Sequence, residues 1–168
     1  MKELTVIRHA KSDWTDAALR DHDRPLNMRG RENAPMVGKA LAERELVPDL
    51  IISSTATRAL TTAREIAAGI GYDLAGIRED GDVYDATVGE LLDIVQALDD
   101  TLGHVFLFGH NPGTHGLVNF LLADEPIPRF VTCAVARLRL DIENWREAGP
   151  ACAGLIEHLY PKILKDGD

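Results

Sequence analysis

Short apolar segments that alternate with helical segments constrain the fold of this chain most strongly. Three such segments, "ELTVI", "PDLIISS" and "HVFLFGH", are brief apolar runs without helical periodicity, which is typical of buried strands. Helical text follows the last two strands as "ATRALTTAREIAAGIG" and "NPGTHGLVNFLLAD", and "TVGELLDIVQALDD" is a further amphipathic segment. This alternation predicts an α/β fold, a three-layer α/β/α sandwich with a mostly parallel central sheet.

The remaining segments fit the same architecture. Asn27 is placed to cap a helix that runs to about Glu45, with a buried stripe formed by Ala34, Val37, Ala40 and Leu41. The segment "CAVARLRLDI" alternates as a strand does, and "AGLIEHLYPK" favours a final edge strand over a short helix. No repeat or linker divides the chain, so we expect residues 1–168 to form a single domain.

Charge and hydropathy exclude several classes of partner. The formal net charge is -9, so the mean field of the protein repels nucleic acid and anionic membranes, and any anion site must be local. No apolar run reaches the roughly 18 residues of a membrane span, and the start of the chain does not resemble a signal peptide. Cys133 and Cys152 match no metal-ligand spacing. We therefore expect a cytoplasmic protein without nucleic-acid or membrane partners.

Cationic and imidazole side chains follow three of the predicted strands. Arg8 and His9 follow the first, Arg58 the second and His110 the third. The carboxyl ends of parallel strands open into one crevice, so we expect these four residues to meet there. The planar guanidinium group of arginine carries several donors in a geometry that fits phosphate oxygens, and the helix N-terminus after "SSTAT" adds backbone N–H donors for the same anion. A neutral imidazole can accept a phosphoryl group covalently. The sequence therefore predicts a phosphoryl-transfer pocket.

Other polar residues carry weaker signals. A lone Arg8 or Arg58 would be interpreted as solvated or ion-paired, and a lone His110 as a satisfied polar residue at a strand end. The other histidines, His22, His104, His115 and His158, are interpreted as structural or solvated. The acidic run "DGDVYD" is a candidate metal loop, but a solvated turn is favoured for Asp80 and Asp82. Asp85 precedes the helix "TVGELLDIV" and is either a residue near its cap or the best-placed carboxyl for a general acid.

The residues around the first strand end also resemble a known family. "VIRHAKSDW" resembles the R-H-G signature of the histidine phosphatase, or phosphoglycerate mutase-like, superfamily, and Ala10 in place of glycine resembles its SixA-type phosphohistidine phosphatase branch. The resemblance continues in order through "DRPLNMRGRENA", "IISSTATRALTTAREI", "VYDATVGELL" and "LFGHNPGTHGLVNFL". It implies a phosphoglycerate mutase-like fold in which His9 is phosphorylated while Arg8, Arg58 and His110 hold the phosphoryl oxygens.

The resemblance also implies roles for residues around the pocket. A phosphate-contacting asparagine of the mutases corresponds to Thr15 here, and the usual glutamate proton donor corresponds most nearly to Asp85. Lys11, Ser12 and Asn111 are further candidate substrate-binding residues. SixA-type proteins lack much of the insert that covers the pocket in the mutases, so an open pocket that admits a protein-borne phosphoryl group is expected.

These observations favour a metal-independent phosphatase without cofactors that acts through phospho-His9 on phosphohistidine of a signalling protein. An imidazole leaving group needs little help from an acid, which suits a shorter donor than glutamate. The alternatives are a phosphomonoesterase for a small phosphate ester, a non-catalytic phosphate-binding module and a metal-dependent phosphotransferase. A binding module needs cations but no nucleophile, so the intact quartet argues against it.

Overall fold

Six strands form one sheet in the computed structural model, which describes residues 1–167. They are β1 (Lys2–Arg8), β2 (Leu50–Ser53), β3 (Arg78–Glu79), β4 (His104–Gly109), β5 (Val135–Leu140) and β6 (Ala153–Leu159). Their order across the sheet is β3-β2-β4-β1-β5-β6. The pairs among β1, β2, β3 and β4 are parallel, whereas β5 runs antiparallel to both β1 and β6. The predicted mostly parallel sheet is confirmed, and its last strand lies at an edge as expected.

Within residues 1–167, five α-helices cover the two faces of this sheet. They are α1 (Met28–Glu43), α2 (Thr57–Ile70), α3 (Val88–Gln96), α4 (Gly113–Leu121) and α5 (Pro161–Asp166). Helices α1, α2 and α5 pack on one side, and α3 and α4 pack together on the other, which gives the three predicted layers. No helix within residues 1–167 is both long and apolar enough to cross a bilayer.

The sheet separates two apolar cores. Ile7 of β1 packs into one core with Ile66 of α2, while its neighbour Val6 packs into the other with Val118 of α4. Successive side chains of a strand point to opposite faces, so a strand covered on both faces is apolar at most positions. This is why the central strands are nearly continuous apolar runs, with Thr5 of β1 and Ser53 of β2 as buried polar members.

Helix α1 begins where the sequence predicts and ends slightly earlier. The Asn27 side chain accepts a hydrogen bond from the Gly30 backbone N–H at 2.8 Å, as expected of a helix cap. The predicted end near Glu45 is two residues too late, because Arg44 closes the last turn and Glu45 has a φ of 56°. The predicted buried stripe lies on the covered side of the helix.

The start of α1 packs directly on the chain that follows β1. A Cβ atom at Gly30 would overlap the backbone carbonyl oxygen of Lys11, and the Asn27 N–H donates to that same oxygen at 2.9 Å. Glycine is therefore required at this close approach, which fixes the segment after His9 against α1.

We expect Gly30→Ala to lower the free energy of unfolding by about 1–3 kcal/mol, because two backbone segments would have to move apart. Urea unfolding followed by circular dichroism measures this loss. Gly89→Ala in α3 is the matched control, since its Cβ would meet nothing closer than 4.0 Å. Equal stability of the Gly30→Ala variant and the wild type would contradict the close packing.

Candidate active site

Backbone hydrogen bonds hold three neighbouring strand ends together. The His9 N–H donates to the Gly109 carbonyl at 3.1 Å, and the Ser54 N–H donates to the Phe108 carbonyl at 3.0 Å. These bonds continue the parallel ladders of β1 and β2 with β4 by one residue beyond the strands. The residues that follow, His9 and His110, are therefore carried to one edge of the sheet, as the sequence predicts.

His9 is held as a neutral imidazole. It is only 7% exposed, and its Nδ1 donates to the Ala10 carbonyl oxygen at 2.6 Å. A carbonyl oxygen can only accept, so the proton resides on Nδ1 and the lone pair on Nε2. Burial lowers the pKa of His9 to about 4, with the positive charges of Arg58 and Arg8 acting in the same direction. This is the protonation state that a nucleophilic histidine requires.

Two arginines supply positive charge to the same place. Arg58, in the first turn of α2, is 8% exposed. Arg8 donates from Nη1 to the Phe130 carbonyl at 3.1 Å, while its buried Nε has no partner among the described residues. The charges of both arginines contribute to lowering the pKa values of His9 and His110. Such an arrangement suits an anion with several oxygens.

His110 faces His9 across the pocket. The centroids of the two rings are 5.1 Å apart, and Nε2 of His110 lies 2.8 Å from the Ser54 hydroxyl oxygen. Burial lowers the pKa of His110 to about 3, and the neighbouring His9 and Arg58 add to the effect. The second histidine is therefore neutral as well, so the positive charge of the group resides on the arginines.

A carboxylate that sequence reasoning missed holds Arg58 in place. Arg58 donates to the Asp21 side chain at 2.9 Å and to the Asp21 backbone carbonyl at 2.6 Å. The hydroxyl of Tyr84 donates to the same carboxylate at 2.5 Å, and its ring packs edge-on against His110 with centroids 5.4 Å apart. These hydrogen bonds, first that of Tyr84 and then that of Arg58, lower the pKa of Asp21, so its carboxylate stays ionised.

Residues 4–96 match the histidine phosphatase superfamily (branch 1). The chain belongs to this superfamily.

The histidine phosphatase match extends to full-length relatives. The uncharacterized protein Rv1276c of Mycobacterium tuberculosis is 32% identical over 165 residues, which cover 93% of this chain and 100% of that protein. The putative phosphohistidine phosphatase SixA from Agrobacterium tumefaciens has a similar structure, with a TM-score of 0.81, 28% identity, and coverage of 95% of this chain and 98% of its own. SixA complexed with tungstate gives a TM-score of 0.82 at 22% identity, covering 96% and 99% of the two chains. The SixA-type resemblance is confirmed, and the chain is a phosphohydrolase.

The structure places Asp85 at the surface. Asp85 is exposed with a φ of 56°, and its side chain makes no hydrogen bond or ion pair within residues 1–167. It does not cap α3, because Thr87 and Glu90 form a capping box there, a pattern readable as T-x-x-E in the sequence. The alternative role of Asp85 as the proton donor stays a prediction.

The acidic run before Asp85 forms a turn. The Asp80 carboxylate accepts the Asp82 backbone N–H at 2.9 Å, as the interpretation of a polar turn expects. Over the described part of the chain, no group of three or more His, Cys, Asp or Glu side chains is arranged to hold a metal ion.

Three candidate substrate-binding residues lie on the loop after His9. Lys11 is exposed, Ser12 is buried where the chain bridges to Leu26, and Thr15 is exposed with its N–H bonded to the Asp13 carboxylate at 2.8 Å. The bridge shows why Ser12 is buried, since it closes the two ends of the loop. The substrate contacts expected of these residues stay predictions.

Asn111 uses both ends of its side-chain amide within the protein. Its Nδ2 donates to the Phe130 carbonyl at 2.8 Å, and its Oδ1 accepts the Thr114 hydroxyl at 2.7 Å. Because Arg8 also donates to the Phe130 carbonyl, Asn111 and Arg8 are linked through one acceptor. The observed contacts orient the pocket wall, and the substrate contact expected of Asn111 stays a prediction.

His22 lies closer to the site than the sequence indicates. Its Nε2 is 2.8 Å from the Thr55 hydroxyl oxygen, and its ring packs edge-on against Tyr84 with centroids 4.8 Å apart. His22 and Asp21 belong to the polar segment "RDHDRP", whose turn-rich composition predicts a functional loop without showing which residue points inward.

Proton titration of the two histidines should occur far below the ordinary range. We expect the ring resonances of His9 and His110 to titrate near pH 4 and pH 3 in NMR spectra of the folded protein, because burial disfavours their charged forms. In urea both should titrate near pH 6.5. The unfolded chain then binds more protons than the folded one, so stability falls as the pH drops from about 6.5 towards 4. A His9 midpoint near 6.5 in the folded protein would contradict the buried neutral ring.

Asp21→Ala is expected to lower kcat/KM for para-nitrophenyl phosphate by about tenfold, because Arg58 loses the carboxylate that accepts from its Nη2, while the contact of its Nη1 with the backbone carbonyl of residue 21 is retained. Steady-state kinetics measures the change. Asp23→Ala is the matched control in the same turn, since its carboxylate contacts Arg20 and His22 instead. Equal effects of the two substitutions would show that the contact with Arg58 is unimportant.

Proposed function

We propose that this phosphohydrolase transfers the phosphoryl group of its substrate to Nε2 of His9, without a metal ion, and that the substrate is phosphohistidine on a protein. The observation that carries the proposal is the state of His9: a buried, neutral ring whose Nδ1 is tied to the Ala10 carbonyl, with two arginines beside it. Nε2 is then the nucleophilic atom.

The proposed reaction has two steps. The Nε2 lone pair attacks phosphorus, the bond from phosphorus to the leaving group breaks, and the leaving group departs with that electron pair and takes up a proton. A water molecule then attacks the phosphorus of phospho-His9, which releases inorganic phosphate, and the Nε2 lone pair is restored. Arg8, Arg58 and His110 are proposed to bind the phosphoryl oxygens and to stabilise the charge that develops on them.

The ionisation state of Asp21 supports phosphohistidine as the substrate. Asp21 contacts Arg58, but its hydrogen bonds with Tyr84 and Arg58 lower its pKa, so it holds no proton to give at neutral pH. Alkyl phosphates need an acid to protonate the departing oxygen, whereas an imidazole leaving group needs much less help. The names of the SixA structures, a putative phosphohistidine phosphatase and a protein histidine phosphatase, support the same substrate class.

His9→Ala should abolish both turnover and the intermediate. We expect at least about a thousandfold loss in hydrolysis of a histidine peptide phosphorylated with phosphoramidate, because alanine removes the imidazole proposed to form the covalent bond. Rapid quenching with radiolabelled peptide should detect acid-labile, alkali-stable phosphate on the wild type and none on the variant. Thermal unfolding of both proteins controls for folding.

Four measurements separate this proposal from the competing functions. Normal turnover by the His9→Ala variant would overturn the covalent mechanism, and loss of activity in chelator would overturn the metal-independent one. A strong preference for sugar or nucleotide phosphates over the phosphopeptide would assign a small phosphate ester as the substrate. Stoichiometric binding without phosphate release would indicate a phosphate-binding module.

A further inference from the structure

A groove beside the active site carries an excess of positive charge. It is a cavity of about 350 Å³ whose charged lining residues are Lys11, Arg29, Lys162, Lys165 and Asp166, and we call it the basic groove. Arg29 belongs to α1, and the two later lysines belong to α5. Four cations thus face one carboxylate, in a protein whose formal net charge is -9.

Among the residues that the structure describes, the cations of the basic groove are not paired with carboxylates, whereas several other arginines of the chain are. Arg44, Arg58 and Arg137 are each paired with a carboxylate. The four groove cations are exposed, and none makes an ion pair or a side-chain hydrogen bond within the described residues. Like charges in one groove repel each other, and Asp166 is the one carboxylate among the described residues that line it. The groove therefore suits an external anion.

The basic groove joins the active site through two backbone connections. Lys11 follows His9 by two residues, so their Cα atoms are at most about 7 Å apart. The opposite wall contains Val131 and Thr132. This wall lies between Phe130, whose carbonyl accepts from Arg8, and Cys133, whose N–H donates to the His9 carbonyl at 3.0 Å. A ligand in the groove therefore begins within a few residues' reach of the nucleophile.

We propose that the basic groove binds acidic residues that flank the phosphorylated histidine of the protein substrate; this inference rests on the proposed function. An extended chain advances about 3.3 Å per residue, so the groove meets positions roughly two to five residues from the phosphohistidine. Flexible lysine side chains act as point charges and accommodate carboxylates at variable positions. The groove would thereby select among phosphoproteins by the sequence around the modified histidine.

The limited extent of the basic groove favours a short acidic peptide segment over a long polyanion such as a nucleic acid or a membrane. At physiological ionic strength, charges more than about 8 Å away are largely screened, so a short acidic segment experiences chiefly the groove itself. A nucleic acid or an anionic membrane extends beyond the groove and meets the surface of a protein with a formal net charge of -9. The observed charge distribution therefore favours a short acidic segment over either long polyanion.

The test compares two phosphopeptides that differ only in charge. One carries glutamates on both sides of a histidine phosphorylated with phosphoramidate, and the other carries glutamines at those positions. The groove variant is R29E/K162E/K165E, which leaves Lys11 unchanged because it is an active-site candidate. The control variant K39E/R64E/R146E changes the net charge equally at exposed residues outside the groove, which make no ion pair within residues 1–167.

We expect the wild type to favour the glutamate peptide over the glutamine peptide by about tenfold in kcat/KM, as a few exposed ion pairs provide. The groove variant should lose this preference, the control variant should keep most of it, and about 0.5 M salt should weaken it. The inference would be overturned if the ratio of the two kcat/KM values were near one in the wild type, or if both variants lost the preference for the glutamate peptide equally.

Binding of the unphosphorylated glutamate peptide, measured by fluorescence anisotropy, separates failure of the groove from failure of the proposed function. Binding that only the groove variant loses supports the groove even if neither phosphopeptide is hydrolysed. Hydrolysis of both phosphopeptides without charge preference leaves the phosphatase proposal standing and rejects the groove. Tighter binding of pyrophosphate or of a twelve-residue oligothymidylate than of the peptide would assign the groove to another ligand and overturn the inference.

Discussion

The parallel pairing of the three central strands is the constraint on which the active site depends. β4 lies between β1 and β2, and the backbone ladders extend one residue past the strands to His9 and Ser54. A fourth backbone segment joins the same edge, because the Cys133 N–H donates to the His9 carbonyl. His9 therefore lies on backbone that is hydrogen-bonded on both sides, even though its side chain lies beyond the end of the strand.

Burial of the side chains of Arg8, His9, Arg58 and His110 sets their chemistry as well as their positions. Two imidazoles and two guanidinium groups are close together, and desolvation keeps both imidazoles neutral. Their lowered pKa values mean that protonation opposes folding, so the site reduces stability as the pH falls. The same environment strengthens the attraction between the arginines and an incoming anion, since fewer water molecules compete for them. Loss of stability in acid and readiness for an anion thus have a common origin.

The fold was largely predictable because its signals are local. Apolar runs such as "TVI" and "FLF" require burial on both faces, and caps such as Asn27 depend on residues three positions away. The convergence of Arg8, His9, Arg58 and His110 was also predictable, because sheet topology alone places successive strand ends at one edge.

The contacts that orient the quartet were not predictable from the sequence. Asp21 reaches Arg58 from a loop whose ends are joined by the bridge between Ser12 and Leu26, and Tyr84 reaches Asp21 across 63 residues of sequence. The two-residue strand β3 is likewise too short to leave a periodic signal, and it lies at the edge of the sheet, where it pairs with β2. Long-range packing decides such details, and a single sequence does not encode them as a local pattern.

The contact between Asp21 and Arg58 has a consequence for the entropy of the reaction. An arginine side chain that is free in solution loses much of its rotational freedom whenever it grips a ligand. Asp21 holds both Nη atoms of Arg58 before any phosphoryl group arrives. For the phosphoryl contact proposed for Arg58, that loss of freedom occurs once, when the chain folds, and is not repeated at every turnover.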